Sequence, residues 1–315
     1  MMAGVFNGMA TGALWGLVFV IPLLLHDFNA WQISAARYLV YGGLALALLL
    51  PRWTQVVRVL GRREWLALLW LSLVGNMVYY VLLVLGVQWG GSAATALIIG
   101  LIPVTVTLVG SREHGAVALR ALLGPMALCL LGLLAVTADS LGAGLAPDLP
   151  GSPWQRAVGL LCAGGALACW TAYSIWNRRW LLRRPDISPW DWSLLTGVAT
   201  GALALLLAVP AFLLPALSGV AAHAAHEGDD WLRFWLVVTA LAVLASVAGN
   251  SFWNRASRLL PATLIGQMIV FETLFALLYG FLYEWRMPRL LEWLAIGSLV
   301  AGVLWTANAH KGHRA

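Results

Sequence analysis

One carboxylate stands where apolar surroundings discourage it. Glu272 lies at the centre of the stretch 261–283, whose flanks on both sides are almost wholly apolar. A helix of ~20 residues rising ~1.5 Å each crosses a ~30 Å hydrocarbon core, and this stretch is long enough. A carboxylate at that depth costs about 3 kcal/mol on insertion scales, so it must face protein or water rather than lipid. No other carboxylate in the sequence lies so deep. Two kinds of chemistry are open to it: binding an ammonium group or organic cation, or holding a proton that exchanges for one. A fixed hydrogen-bonded pair with an Asn or Arg is the plain structural alternative.

Other polar and aromatic residues fall on helical spacings. Ser246, Asn250, Asn254 and Ser257 recur three or four apart beside Trp253, and Ser72 and Asn76 do so ahead of Tyr79 and Tyr80. Such residues share one helix face. They serve either as interhelical glue, at roughly 0.6 kcal/mol per hydrogen bond, or as the lining of a cavity. Trp15, Phe19, Trp170, Tyr173 and Trp253 could face a common cavity, where each cation–π contact is worth ~0.5–2 kcal/mol. Trp31, Trp53, Trp65, Trp89, Trp190 and Trp231 lie near the ends of apolar runs and read as interfacial anchors. Arg37, the one basic residue well inside an apolar run, reads as a structural partner or a snorkelling side chain. Pro103 interrupts another run at mid-membrane, removing a backbone donor and setting a kink. Laid over Thr273, it puts Ile102 opposite Glu272.

These residues must be positioned by membrane helices. The chain is 61% hydrophobic and only 10% charged, against ~25% charged in soluble proteins, with a mean hydropathy of +0.84. Apolar runs predict helices over 4–25, 30–50, 65–86, 92–111, 119–138, 157–176, 192–214, 232–253, 262–282 and 291–309. The fold class expected is an all-α integral membrane protein. Its ten transmembrane helices form two inverted five-helix repeats, at 1–140 and 157–315, around an external connection at 141–156. A weak internal repeat carries that expectation. Trp31-Gln-Ile-Ser34 echoes Trp190-Asp-Trp-Ser193, Gly42 and Gly201 follow at equal distance, and the region of Trp15 echoes that of Trp170. An odd number of helices per repeat inverts the second in the membrane, the architecture of secondary transporters.

Arg52, Arg58, Arg62, Arg63, Arg112, Arg120, Arg178, Arg179, Arg183, Arg184, Arg255, Arg258, Lys311 and Arg314 gather in one set of joints. The alternate joints carry only Arg156, Arg233, Arg286 and Arg289, with most of the acids. The positive-inside rule then places both termini in the cytoplasm and the chain in the cell membrane. A net charge of +6 distributed this way speaks for orientation and against nucleic acid.

Enzyme chemistry finds little support. His26, His114, His223, His226, His310 and His313 lie in joints or the tail, and Cys129, Cys162 and Cys169 show no ligand spacing. Neither a phosphate-binding GxxxxGK[ST] loop nor a nucleophilic triad is present. No metal, cofactor or catalytic residue is expected.

With these residues in view the chain resembles the drug/metabolite transporters of the EamA type over nearly its whole length. The resemblance rests on Ala13-Leu-Trp-Gly16, Ala36-Arg37-Tyr38, Ser92-Ala-Ala-Thr95 through Ile102-Pro103, Phe252-Trp-Asn-Arg-Ala256, Leu260-Pro-Ala262 and Glu272. Thr273 stands where relatives carry proline, so a straighter ninth helix is expected. Glu113 and Glu284 lie near the family's Gly-Glu positions, but that motif is intact in neither half, and they are given no substrate role. The resemblance implies an exporter of amino acids, related metabolites or toxic amphiphiles.

The expected function is therefore a secondary carrier working by alternating access on an amino acid, amine or organic cation. Glu272, Trp15, Asn76, Tyr79, Trp170, Tyr173, Asn250 and Trp253 would bind the substrate, and Glu272 would also carry a coupling proton. The rival readings are efflux of lipophilic cations or drugs and, from another class, a membrane-embedded enzyme using Glu272 as acid or base. The chain could act as a monomer or a homodimer.

Overall fold

The computed structural model describes residues 1–25, 28, 30–90, 95, 98–112, 119–142, 153–213 and 228–312. Each of the ten expected segments is helical where described. They are α1 Met2–Gly16, α2 Ala30–Leu49, α3 Arg62–Leu85, α4 Ile102–Gly110, α5 Leu119–Gly142, α6 Pro153–Arg183, α7 Pro189–Leu213, α8 Gly228–Leu259, α9 Ala262–Met268 resuming at Val270–Glu284, and α10 Leu290–Gly312. Among the described residues six helices are long and apolar enough to cross a membrane, in the regions of α2, α3, α6, α7, α8 and α9. Shorter apolar stretches, Leu119–Gly132 and Leu290–Thr306, add to them. The protein is an all-α, multi-pass membrane protein. Leucines such as Leu131, Leu134, Leu205, Leu206 and Leu304 stand exposed on the outside of the bundle, which lipid tolerates as readily as the core does.

The helices pair in a pattern that survives exchange of the two halves. α2 packs on α7, α5 on α10 and α4 on α9, each pair mapping onto itself. α1 meets α8 and α9, while α6 meets α3 and α4, and these contacts map onto one another. Where α2 crosses α7, the two glycines of the sequence repeat meet. A methyl carbon on Gly42 would lie 2.5 Å from the Cα of Gly201, and one on Gly201 would lie 2.6 Å from that of Gly42. Only two residues without side chains permit this approach.

α1 reaches α9 just as closely. Gly4, Gly8, Gly12 and Gly16 recur every fourth residue, so they form one stripe. Side chains on Gly8, Gly12 and Gly16 would strike Met268, Phe271 and Phe275 of α9. Tyr279 closes the same seam by donating to the Ala13 carbonyl at 2.9 Å.

α9 departs from expectation. It was expected to be straighter for want of a proline, yet it breaks at Ile269, four residues before Thr273. Two tightened turns produce the break, Ile269 N–H to Gly266 O at 3.3 Å and Glu272 N–H to Ile269 O at 3.0 Å. No proline lies at the break, and both α4 and α1 pack closely along it. Glu272 thus sits in the first turn of the second half-helix. α4 is likewise interrupted at Gly100–Leu101, and Pro103 opens the helix beyond, where its missing N–H would have no partner in any case. α1 is also broken, by a 3-10 turn at Leu17–Phe19 ahead of Pro22.

The basic end of the bundle is tied by one arginine. Arg184, just past α6, donates to Glu64 Oε1 at 2.6 Å, Asp186 Oδ2 at 2.7 Å and the Val59 carbonyl at 2.7 Å. Glu64 in turn caps α3 by accepting from the Gly61 N–H at 2.8 Å. Arg258, at the end of α8, donates to the Ile187 carbonyl at 2.6 Å. Three joints from both halves are fastened together.

Two outcomes follow from this packing. Gly12→Val is expected to destabilise the protein by about 1–3 kcal/mol, read as a lower unfolding temperature in detergent. Gly43→Ala, whose added carbon meets nothing within 4 Å, leaves it unchanged. The second outcome depends on pH. The hydrogen bonds from Arg184 hold the Asp186 carboxyl below its ordinary range and hold the guanidinium above its own. A carboxylate with a depressed folded pKa adds stability above its unfolded value of ~3.9 and loses it as pH falls through the folded value. Asp186→Asn should therefore lower the unfolding temperature at neutral pH and not at about pH 2. The shift is small, because 51% of the side chain is in solvent.

Candidate functional site

Aromatic side chains from four helices meet inside the bundle. Trp15 of α1 lies 5.6 Å from Trp170 of α6 and 5.3 Å from Trp253 of α8, centroid to centroid. Trp170 and Trp253 are 5.4 Å apart and nearly perpendicular. Tyr173, one turn along α6, stands edge-on to Trp170 at 5.3 Å, and Tyr79 of α3 does so at 6.4 Å. Edge-to-face pairs at these separations gain ~0.5–1.5 kcal/mol beyond the area they bury. Five of the residues singled out in the sequence thus form one cluster. Phe19 has no described side chain.

Irregular helix makes room for the cluster. α3 is π-helical over Leu73–Val78 and α8 over Ala242–Gly249, the same element in each half. A π-turn widens a helix and loosens its hydrogen-bond ladder, and such turns gather at functional sites. Gly249 lies under the Trp15 ring, where a methyl carbon would come 2.7 Å from Nε1, and the Trp15 N–H donates to the Ala245 carbonyl at 3.0 Å. Gly75 lies under the Tyr173 ring in the same way, 2.6 Å from Cγ. Each half therefore seats an aromatic residue of the other half in its own π-turn.

Two polar groups at this centre stand unpaired. Trp253 is 1% exposed, and its indole N–H has no hydrogen-bond acceptor among the described residues. A buried donor left without a partner costs about 1–3 kcal/mol. Glu272 is half-buried, and its carboxylate makes no hydrogen bond or ion pair among the described residues. Its backbone N–H lies against the Gly12 position of α1, one turn from Trp15. Arg37 donates to Ser246 of α8 at 3.0 Å.

The asparagines lie apart from the rings in their bonding. Asn76 donates to Thr200 of α7 at 3.1 Å, beside Ser72, which donates to the Thr196 carbonyl at 3.2 Å. Asn250 donates to the Tyr41 hydroxyl at 3.2 Å, and that hydroxyl donates to the Ser193 carbonyl at 2.9 Å. Asn254 accepts from Asn177 at 2.8 Å, whose own oxygen takes the Trp192 N–H at 2.9 Å. Within these seams each amide fastens one helix to another.

Some participants escaped the sequence reading. Tyr41 gave no signal, since a tyrosine in an apolar helix can face lipid, core or interface. The α4–α9 knot, in which Gln267 donates to Thr107 at 3.1 Å and accepts from the Cys129 thiol at 3.2 Å, joins residues 160 and 138 positions apart. The glycine stripe of α1 was there to be found in its spacing. Glu113, His26, His114, His223, His226 and His313 lie outside the described residues, as do the first residues of the fourth predicted helix.

Interrupted helices packed around interior polar groups suit a membrane transporter, and known proteins place the chain in that class. Residues 2–138 match the EamA-like transporter family. Inner membrane protein YtfF of Escherichia coli (strain K12) is 35% identical over 327 residues, spanning 98% of this chain and 96% of its own. A crystal structure of a protein only 18% identical superposes over 99% of each chain with a TM-score of 0.72, a likeness of fold. The chain belongs to the EamA-like transporter family and is a membrane transporter.

The two kinds of polar residue separate in one experiment. Asn76→Ala is expected to lower stability by roughly 0.6 kcal/mol while leaving apparent substrate affinity within about twofold, less than ~0.4 kcal/mol on the binding scale. Thermal unfolding and the KM of transport, measured on the same preparation, read the two effects.

Proposed function

We propose that the protein is a secondary carrier of the inner membrane that moves a small zwitterionic or cationic metabolite, foremost an amino acid, by alternating access. The observation that supports this reading is two opposite vacant functions on helices that both pack against α1 near Trp15. Glu272 offers a negative charge without a partner, and Trp253 offers a buried N–H without an acceptor. An amino acid supplies both complements, its ammonium to Glu272 and its carboxylate to the indole N–H. Trp15, Trp170, Tyr173 and Tyr79 would present ring faces and edges to the same cation, with Asn76 and Asn250 holding the helices around it.

Bringing a cation to Glu272 neutralises a charge that is costly at mid-membrane. A proton does the same. The carrier would cycle with one or the other bound, exporting substrate as protons enter, because the empty ionised state is the hardest to move. Placement in the inner membrane draws on the relative of that name. Cytoplasmic termini follow from loop charge, and outward direction follows from the family resemblance.

A second reading has its own support, since the cluster presents far more aromatic surface than polar groups. Efflux of a lipophilic cation would use Glu272 and the rings but have no need of the Trp253 N–H. Trp253→Phe keeps the ring and removes the donor, so it distinguishes the two. It lowers amino-acid transport by about tenfold or more on the first reading, matching the loss of a hydrogen bond to a charged group at ~1.5–3 kcal/mol. On the second it leaves cation efflux intact.

Counterflow in proteoliposomes tests the core of the proposal. Labelled amino acids and one lipophilic cation are offered with and without a pH gradient. Wild type should show saturable flux that responds to the gradient, and Glu272→Gln should lose the flux or its pH response. Flux by Glu272→Gln with the pH response intact would remove the proposed role of this residue.

A further inference from the structure

Between the aromatic cluster and the basic end the bundle is tightly filled. On α8 the inner-face residues that follow Trp253, namely Asn254, Ser257 and Leu260, are all but fully buried. Asn254 accepts from Asn177 of α6 at 2.8 Å. The Leu260 side chain lies on Gly4 of α1, where a methyl carbon would come within 2.6 Å of it. Ala262 of α9 lies on Gly110 of α4 in the same way, at 2.8 Å. Five helices thus converge here. α9 records the difference along its own length. Every residue from Ala262 to Val270 is buried, and every residue from Phe271 to Leu277 is partly exposed. Seven successive residues cover all sides of a helix, so the packing around α9 is tighter on the basic side of its break.

Two arginines fasten this constriction reciprocally. α6 ends at Arg183 and α8 at Leu259, and carbonyls at a helix C-terminus lack partners within the helix. Arg178 of α6 donates through Nε to the Leu260 carbonyl at 3.0 Å, just past the end of α8. Arg258 of α8 donates to the Arg184 and Ile187 carbonyls at 3.2 and 2.6 Å, just past the end of α6. Each guanidinium therefore sits at the C-terminal, negative end of the other helix. Arg184 in turn is held by Glu64 and Asp186, which fixes the joint that presents those carbonyls.

We propose that this clasp between α6 and α8 is the gate of the transport pathway at the basic end, with Arg178 and Arg258 as its positioning residues. The proposal rests on the alternating access put forward above, and on loop charge for placing the gate at the cytoplasmic face. Trp170 and Tyr173 stand on α6 and Trp253 on α8. A path from the cluster to the cytoplasm therefore parts these two helices, breaks the bond between Asn177 and Asn254 and releases both arginines. Backbone carbonyls suit such a contact. A guanidinium leaving a carbonyl strands one charge, whereas breaking a buried ion pair strands two. The structure is then the form of the carrier that is closed to the cytoplasm.

Ser174 can report the state of the gate. It is fully buried on α6, one turn nearer the cluster than Asn177, and Ser174→Cys changes a single atom. The full chain, with Cys129, Cys162 and Cys169 replaced by alanine, is reacted in detergent with a polar maleimide, and its unfolding temperature is measured alongside. Labelling passes through the open form, so its rate follows the population of that form. Arg258→Gln should speed labelling about tenfold, the change that ~1.4 kcal/mol makes. Arg178→Gln, a second probe on the other side of the clasp, should act in the same direction. Arg52→Gln removes a 2.8 Å ion pair with Asp191 that joins α2 to α7, helices that the gate does not part. It should leave labelling within about twofold, even where it lowers the unfolding temperature. A rate unchanged in both clasp variants would overturn the proposal. So would a rate that tracks unfolding temperature across all three variants, which would mark the clasp as general stability. Neither a substrate nor a membrane orientation enters this readout, so its failure is distinct from a failure of counterflow.

Discussion

Hydrocarbon offers no water to an unpaired polar group, and that constraint shapes this molecule from Glu272 outward. Each backbone N–H and C=O at membrane depth must find a partner inside the protein. Yet α4, α9 and α1 are interrupted, and α3 and α8 widen into π-turns. Such defects are tolerable only where protein covers them. Here they are covered by unusually close neighbours. α1 lays a stripe of glycines along α9 on both sides of its break, and the π-turn of α8 uses one loosened carbonyl to take the Trp15 N–H. The carboxylate of Glu272 lies in the first turn of a half-helix, on the segment that α1 covers.

Polar residues in the bundle differ in bonding state. Ser72, Asn76, Asn177, Asn250 and Gln267 all have partners on other helices. They fix which helix lies against which. Glu272 and Trp253 are left with unmet capacity beside a group of rings. That difference cannot be seen in residue type, since an asparagine reads the same in either state.

This explains how much was legible before the structure. Helix positions follow from hydropathy alone, because the bilayer demands long apolar runs. The repeat was readable from Trp31, Trp190 and two glycines, which recur for a packing reason. Glu272 was conspicuous through its cost. The meeting of Trp15 with Trp170 and Trp253 could be suspected from depth and residue type, but its geometry required knowing which helices touch. What stayed hidden was set by contacts distant in sequence. α9 breaks at Ile269 where α1 and α4 pack on it, although the local sequence, lacking proline, pointed the other way. The partners of Asn76 and Asn250 lie 124 and 209 residues away, beyond the reach of any spacing rule.

The crossing of Gly42 with Gly201 has a mechanical consequence. Most helix crossings interlock through side chains, so turning one helix against the other forces several rotamers to change together. At this crossing two bare backbones touch, one from each half, close to the axis that relates them. Such a contact fixes the separation of the halves, and Tyr41 and Ala45 of α2, which press on Gly197 of α7 one turn away, set their relative tilt. The pivot is thus held both by bare backbone at the crossing and by interlocked side chains beside it, while fastenings such as Arg184 with Glu64 hold the periphery.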